Sequence, residues 1–352
     1  MHGPTQDIND AALTALGIHR LEIPVPFIEA GGPANVYVIE DADGRYSLFD
    51  TGIGTPDGIA ALRGQAAEKQ LDLKKLSRIV VSHGHLDHFG NAQMLSEESG
   101  ARVFIHDADV EKVTGDARFA ALLRRHRAYF LRLGVPVETL DQMQEGADRQ
   151  PNLIRHVERS RLGPLHDGDV LQFKHFEVVV KHLPGHTPGL VCLHAQRQRF
   201  FFADDHVLAR VSPNPLLDLS QGEGTTKFRA LSRYLEGAKW VRDLDLDAVL
   251  PGHGPAFRGH RELLDGLFAF YEQRQDKLLA RLQQGPASIF ELLPTLFPRR
   301  DAGRLVLMLS EVLANVEVME DQGRVTATVH PERSRGANDP PLDGEIVRYA
   351  PS

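Results

Sequence analysis

Short apolar runs separated by turn signals fill the first half of the chain. LEIPV at 21–25, ANVYVIE at 34–40 and RYSLFD at 45–50 predict strands, with ADG at 42–44 as a hairpin turn. TPDGIAALRGQAAEKQ changes the period and predicts a helix, with Thr55 as its N-cap and Pro56 in its first turn. SRIVVSH predicts a buried strand, GNAQMLSEES a helix, and ARVFIH at 101–106 a further strand. From 107 to 163 the pattern is helical, with DADVEKVTG, RFAALLRRHRAYFLRL and VETLDQMQEGADRQ in succession and no strand between them. This predicts a helical insertion in a β-rich plan. Strands resume with DVLQF, FEVVVKHL, GLVCLHA and RFFFAD. A helix is expected at TTKFRALSRYLEGAKWVRDL, and LDAVLPGHG supplies a last strand and loop.

After about 258 the pattern changes again. A long helix (RELLDGLFAFYEQRQDKLLARLQQ) precedes ASIFELLPTLF, a Pro-Arg-Arg break and the apolar helix RLVLMLSEVLANVEVMED. RVTATV and EIVRYA then flank a polar Pro/Gly stretch, which reads as a hairpin with a loose tip. Helix, helix and hairpin resemble a winged helix, so the expected domains are 1–258 and a small winged-helix-like 259–352. A chain of 352 residues accommodates both.

Composition narrows the picture. With 42% hydrophobic and 25% charged residues the chain reads as globular, and no stretch approaches the ~18 apolar residues of a membrane span. The N-terminus, MHGPTQDIND, lacks the basic and apolar parts of a signal peptide, so a cytoplasmic enzyme is expected. The single cysteine, Cys192, excludes an intramolecular disulfide and a thiolate metal cluster, and its setting LVCLH suits a buried small hydrophobe. A net charge of −8 argues against reliance on phosphate-backbone neutralisation, although it leaves room for a local basic patch.

Candidate chemistry starts at VVSHGHLDHFGN, residues 80–91, where His83, His85, Asp87 and His88 follow directly on an apolar run. Cores avoid such a cluster because every buried imidazole or carboxylate needs a partner. Imidazole nitrogen and carboxylate oxygen suit zinc and similar divalent metals. HLPGHTPGL places His186 in a rigid Gly/Pro loop after a strand, FFFADDHVL ends a strand in Asp204 and Asp205, and VLPGHG places His253 in a tight turn. All lie at the carboxyl ends of apolar runs, so one edge of a sheet can carry them together. His106, His182, His194 and His206 also lie near strand ends and read as structural.

H-x-H-x-D-H, P-G-H-T-P-G, a strand ending in Asp and P-G-H-G, in that order, resemble the metallo-β-lactamase fold superfamily, close to the glyoxalase II-like hydrolases. DTG at 50–52 matches the superfamily's first motif, and the resemblance covers about residues 18–258. It implies an α/β (α+β) fold, an αββα sandwich, here with the helical insertion at about 107–163. It further implies that His83, His85 and His186 hold a first metal, and Asp87, His88 and His253 a second. One aspartate of ADD would bridge the two. Asp204 would place His206 at the first of the offsets where the family has apolar residues, so Asp205 is preferred, with Val207 and Leu208 at those offsets. Asp204 then stands where the family usually has glycine, which puts a close backbone contact in doubt. Asp50 would support the site from below without binding metal.

The implied cofactors are two divalent ions, zinc first, with iron or manganese as alternatives, about 3.5–4 Å apart and sharing a hydroxide. If only one metal is bound, Asp87 is the carboxylate placed to orient or deprotonate the water. The superfamily hosts several chemistries, so fold alone does not choose a substrate. The absence of a cysteine at the second metal argues against the best-known zinc β-lactamases, and the full ligand set against a mononuclear iron enzyme. The preferred reading is hydrolysis of a small acyl ester, thioester or lactone. The alternative is phosphodiester hydrolysis of RNA, favoured by the winged-helix-like tail; a non-catalytic metal-binding scaffold is a third. RRHR at 124–127 and RHVERSR at 155–161 read as solvated faces, or, through Arg124 and Arg125, as a lid holding an anionic acyl substrate. The apolar helices of insertion and tail could cover the core or form a homodimer interface.

Overall fold

The computed structural model describes residues 5–26, 31–115, 119–149, 155–213, 215–218, 228–299, 302–330 and 346–352. They form two compact units. The first comprises Met1–Asp116, Leu153–Pro213 and Arg233–Leu267, and the second Ala117–Asn152, Asn214–Ser232 and Phe268–Ser352. The expected boundaries, 107–163 for an insertion and 259 for a second domain, therefore divide differently. Of the helices expected as an insertion, Phe119–Arg125, Arg127–Arg132 and Val137–Asp148 share a core with the C-terminal segment, while Val110–Thr114 stays in the core of the first unit.

In the first unit a six-stranded sheet runs in the order Ile18–Ile23, Ala34–Glu40, Tyr46–Phe49, Leu76–Val80, Arg102–Ile105, Leu162–Pro164. Its first three strands are antiparallel, and from Tyr46–Phe49 onward neighbours are parallel. Parallel pairing needs a crossover, which the helices Pro56–Glu68 and Ala92–Ser99 provide. Thr55 caps the first of these, its side chain accepting from the Gly58 N–H, with Pro56 at the start. Leu162–Pro164 corrects the strand-free reading of 107–163. Three residues, one of them proline, carry too little pattern to announce an edge strand.

The second sheet has seven strands: Gln6–Asp7, Phe257–Arg258, Ala248–Pro251, Phe200–Asp204, Val191–Ala195, Glu177–His182, Val170–Gln172. The two sheets pack face to face. Val36, Val38 and Leu48 lie with Leu62, Ala66 and Leu95 of the helices, while the alternate residues Tyr37, Ile39 and Phe49 lie with Phe200 and Phe202 of the other sheet. Both faces are covered, so these strands read as nearly continuous apolar runs. On the outer face of the second sheet, Trp240 of helix Ala230–Asp243 sits 6.2 Å from Phe201 and 6.0 Å from His194, ring to ring. The layers make an αββα sandwich.

The second unit joins the helices Phe119–Arg125, Arg127–Arg132 and Val137–Asp148 to Ile289–Leu296, Leu305–Asp321 and the hairpin Val325–His330/Ile346–Pro351. Phe130, Leu140, Leu278, Leu309, Val316 and Tyr349 share its core. Ser288 and Glu291 form a reciprocal cap at the start of Ile289–Leu296. The hairpin tip and the start of the helix expected at 225 lie outside the described residues. Among the described residues no helix is long and apolar enough to cross a membrane.

Phe202 is fully buried between the sheets, with Tyr37 and Phe49 edge-on at 5.3 and 5.7 Å. Phe202→Ala is expected to cost about 3–5 kcal/mol through lost burial and the cavity left behind. A shift of less than about 1 kcal/mol in urea unfolding would contradict this packing.

Candidate metal centre

Each candidate ligand follows a strand. His83 and His85 lie in the loop after Leu76–Val80, and the short helix Leu86–Phe89 then presents Asp87 and His88. His186 follows Glu177–His182, Asp205 follows Phe200–Asp204, and His253 follows Ala248–Pro251. Loops from both sheets thus meet at one edge of the sandwich.

His85 Nδ1 lies 2.9 Å from His83 Nε2 and 2.9 Å from His186 Nε2. A second group has His253 Nε2 at 3.5 Å from Asp87 Oδ2 and His88 Nε2 at 3.8 Å from Asp87 Oδ1. Asp205 stands between the groups: its carboxylate is 3.3 Å from His186 Nε2 and 3.6 Å from the Nε2 atoms of both His88 and His253. The structure brings together the residues expected for each metal, and Asp205 reaches both sets at their Nε2 atoms.

The donor set fits divalent metal. His85 Nδ1 can make one hydrogen bond at most, so one of its two imidazole contacts is left without one. His88 Nε2 and Asp205 Oδ1 are buried with no hydrogen-bond partner. Buried polar atoms of this kind call for a ligand, and three clusters here, among them His83/His85/His186/Asp205 and Asp87/His88/His253, are arranged so that they could hold an ion. The charges are divided between the sides. Burial and their imidazole neighbours lower the pKa of His83 and of His85, leaving neutral rings with lone pairs to donate. Burial opposes charge on His88 too, but Asp204, Asp205, Asp87 and Asp50 outweigh it and raise its pKa well above the usual value.

Asp50 lies behind His88, with Oδ2 2.8 Å from Nδ1, and also accepts from the Ser82 N–H and hydroxyl at 2.7 and 2.9 Å. Asp50 and Asp204 both have positive φ, 62° and 48°. The conformation at 204 is one that glycine adopts freely and aspartate tolerates.

Residues not singled out from sequence hold the loops. Asp109, fully buried, accepts from the Gly84 N–H between His83 and His85 (2.9 Å), the Thr187 hydroxyl beside His186 (2.6 Å) and the Gly189 N–H (3.1 Å). It pairs with Lys112 at 2.7 Å. The turn carrying His253 is pinned by its carbonyls: Asn35 Nδ2 donates to Pro251 and Gly254, the Tyr37 hydroxyl to Pro251, and Arg20 to Gly254. An asparagine inside the apolar run ANVYVIE was the available signal; nothing local marks Asp109. A Cβ on Gly252 would come within 2.2 Å of Asp205 Oδ1, so the glycine of PGHG lets the turn approach the carboxylate.

The other candidates are not members of these clusters. Arg124 and Arg125 are exposed on the helix Phe119–Arg125 of the second unit, and Arg124 is paired with Asp148 at 2.7 Å. His106 and His182 stack on each other at 3.8 Å, and His182 Nε2 contacts the Pro188 carbonyl. Burial drives the pKa of His206 down to about 3. Cys192 is buried, its thiol directed to the Ala203 carbonyl.

Fold and site together define a metallo-hydrolase class, and the comparisons with known proteins agree. The chain belongs to the metallo-beta-lactamase superfamily, whose sequence model matches residues 30–253. A probable metallo-hydrolase of Bacillus subtilis is 25% identical over 90% of this chain and 96% of its own length. The acyl-coenzyme A thioesterase MBLAC2 of Bos taurus is 26% identical over 67% of this chain and 78% of its own. A crystal structure of a metallo-beta-lactamase family protein from Thermus thermophilus aligns with a TM-score of 0.74 at 27% identity, covering 96% of this chain and 99% of that one.

Burial pushes the Asp109 carboxyl up, but Lys112, Thr187 and the Gly84 N–H more than offset it and hold its pKa below the usual value. Its contribution to stability is therefore full above the unfolded value of about 3.9 and fades as pH falls through the folded one. Asp109→Asn is expected to cost about 1–3 kcal/mol at pH 6, with the deficit shrinking toward pH 3. An equal deficit at both pH values in urea titrations would rule out this role.

Proposed function

We propose that this chain is a hydrolase that uses two divalent ions, zinc first, to cleave a small acyl ester, thioester or lactone. The observation that carries the reading is Asp205, poised within 3.3–3.6 Å of imidazoles from both ligand groups. His83, His85 and His186 would hold one ion and Asp87, His88 and His253 the other, with Asp205 common to both. Ions bound there would polarise a substrate carbonyl and lower the pKa of water to near ~7.

The chain's own groups then divide the work. Asp87, whose side chain is 12% exposed, would orient the attacking water, and with a single ion bound its Oδ atoms would receive that water's proton. Asp50 keeps His88 Nδ1 occupied, so that Nε2 faces inward. Asp109 and Asn35 fix the loops on which the ligand groups ride. The likeness to an acyl-coenzyme A thioesterase over 78% of that protein supports a thioester among the acyl substrates.

Elemental analysis of the purified protein, with turnover of acyl-coenzyme A thioesters, lactones and a phosphodiester reporter, tests the reading. Two equivalents of metal and acyl turnover are expected. His83→Ala should keep its circular dichroism spectrum and lose turnover. Full activity after chelation would defeat the proposal, and phosphodiester cleavage without acyl turnover would move it to the nuclease alternative.

A further inference from the structure

Asp204 has no ligand role in the two-ion assignment, yet its surroundings are those of a working group. It ends the strand Phe200–Asp204 and is 1% exposed. Consecutive residues of a regular strand point to opposite faces. Here the pairing with Ala248–Pro251 shifts register between Phe202 and Asp204, and the positive φ of Asp204 turns the chain again. Both aspartates consequently lie among the same imidazoles. Asp205 meets the Nε2 atoms at the front of the site. Asp204 meets nitrogens at the rear: Oδ1 is 3.2 Å from His83 Nδ1, and Oδ2 is 3.5 Å from His88 Nδ1. Oδ1 also accepts from the Asp205 N–H at 2.8 Å, while Oδ2 has no hydrogen-bond partner.

We infer that Asp204 is a shared positioning carboxylate, bracing the rear nitrogens of one histidine from each ligand group so that both Nε2 atoms face the metals. The inference rests on the two-ion reading. His83 has only the Ser82 hydroxyl as another partner for Nδ1, at 2.9 Å, and His88 has Asp50 at 2.8 Å. Asp204 is the one group within 3.5 Å of both rear nitrogens among the described contacts. It acts on both half-sites together through its charge, with Oδ1 beside His83 Nδ1 and Oδ2 beside His88 Nδ1, and adds a fixed negative charge beside the cations. Carboxylates behind metal-bound imidazoles commonly contribute 10–100-fold to metal affinity.

The backbone at 204 makes the test clean. Asp204→Gly puts the most permissive residue at φ 48°, and Asp204→Asn keeps shape and left-handed tolerance while removing the charge. Zinc binding to the metal-stripped full chain is measured by competition with a chromophoric chelator, beside thermal melting without metal. Wild type should bind two equivalents. Both variants should melt within a few degrees of wild type and bind both equivalents about 10–100-fold more weakly. Unchanged affinity, weakening of one equivalent alone, or loss of the metal-free fold in both variants would each overturn the inference. A wild-type chain that takes up no zinc would instead refute the two-ion reading beneath it.

Discussion

Like charges and lone pairs crowded into a dry space are the constraint on which this site depends. Asp205 can lie amid His186, His88 and His253 only because three loops from two sheets are held at fixed heights. Without an ion, the neutral imidazoles on one side and the carboxylates on the other carry an unfavourable desolvation cost. That cost is met by unusually firm scaffolding. Asp50, Asp109 and Asn35 direct their hydrogen bonds to backbone N–H groups, hydroxyls, ring nitrogens and carbonyls in and around the ligand loops.

The scaffold explains why the sandwich is built as it is. In the six-stranded sheet antiparallel strands come first and parallel ones follow, and in the seven-stranded sheet the one parallel pair, Phe200–Asp204 with Ala248–Pro251, delivers Asp205 and His253 to the same edge. The aromatic cluster of Tyr37, Phe49 and Phe202 holds the sheets together directly beneath that edge. Tyr37 joins the layers to the site, since its ring packs in the core while its hydroxyl holds the Pro251 carbonyl. Two residues of the site, Asp50 and Asp204, are held in the left-handed conformation, as are Gln70 and Arg199 outside it.

How much of this could be read from the sequence depends on where the information sits. His83, His85, Asp87, His88, His186, Asp205 and His253 were legible because neither an apolar core nor a solvated loop has reason to gather metal-type donors at strand ends. Asp109 was not, because its value lies in contacts with 84, 187 and 189 that only the fold creates. The helices of 107–163 were legible as helices, since their apolar period is local. Their partner was not: an apolar stripe does not say which surface it will cover, and it covers the C-terminal helices. The short strands Gln6–Asp7 and Leu162–Pro164 fall below the length at which alternation is informative.

The wiring of the second unit has a consequence for biosynthesis. Leu123, Phe130 and Leu140 share a core with Leu309, Val325 and Tyr349, and Ala287 exchanges backbone hydrogen bonds with Tyr349. Chains emerge from the ribosome amino end first. The early helices therefore lack part of their cover until Tyr349 has been made. A nascent chain halted before Tyr349 would leave part of that apolar surface open to chaperones.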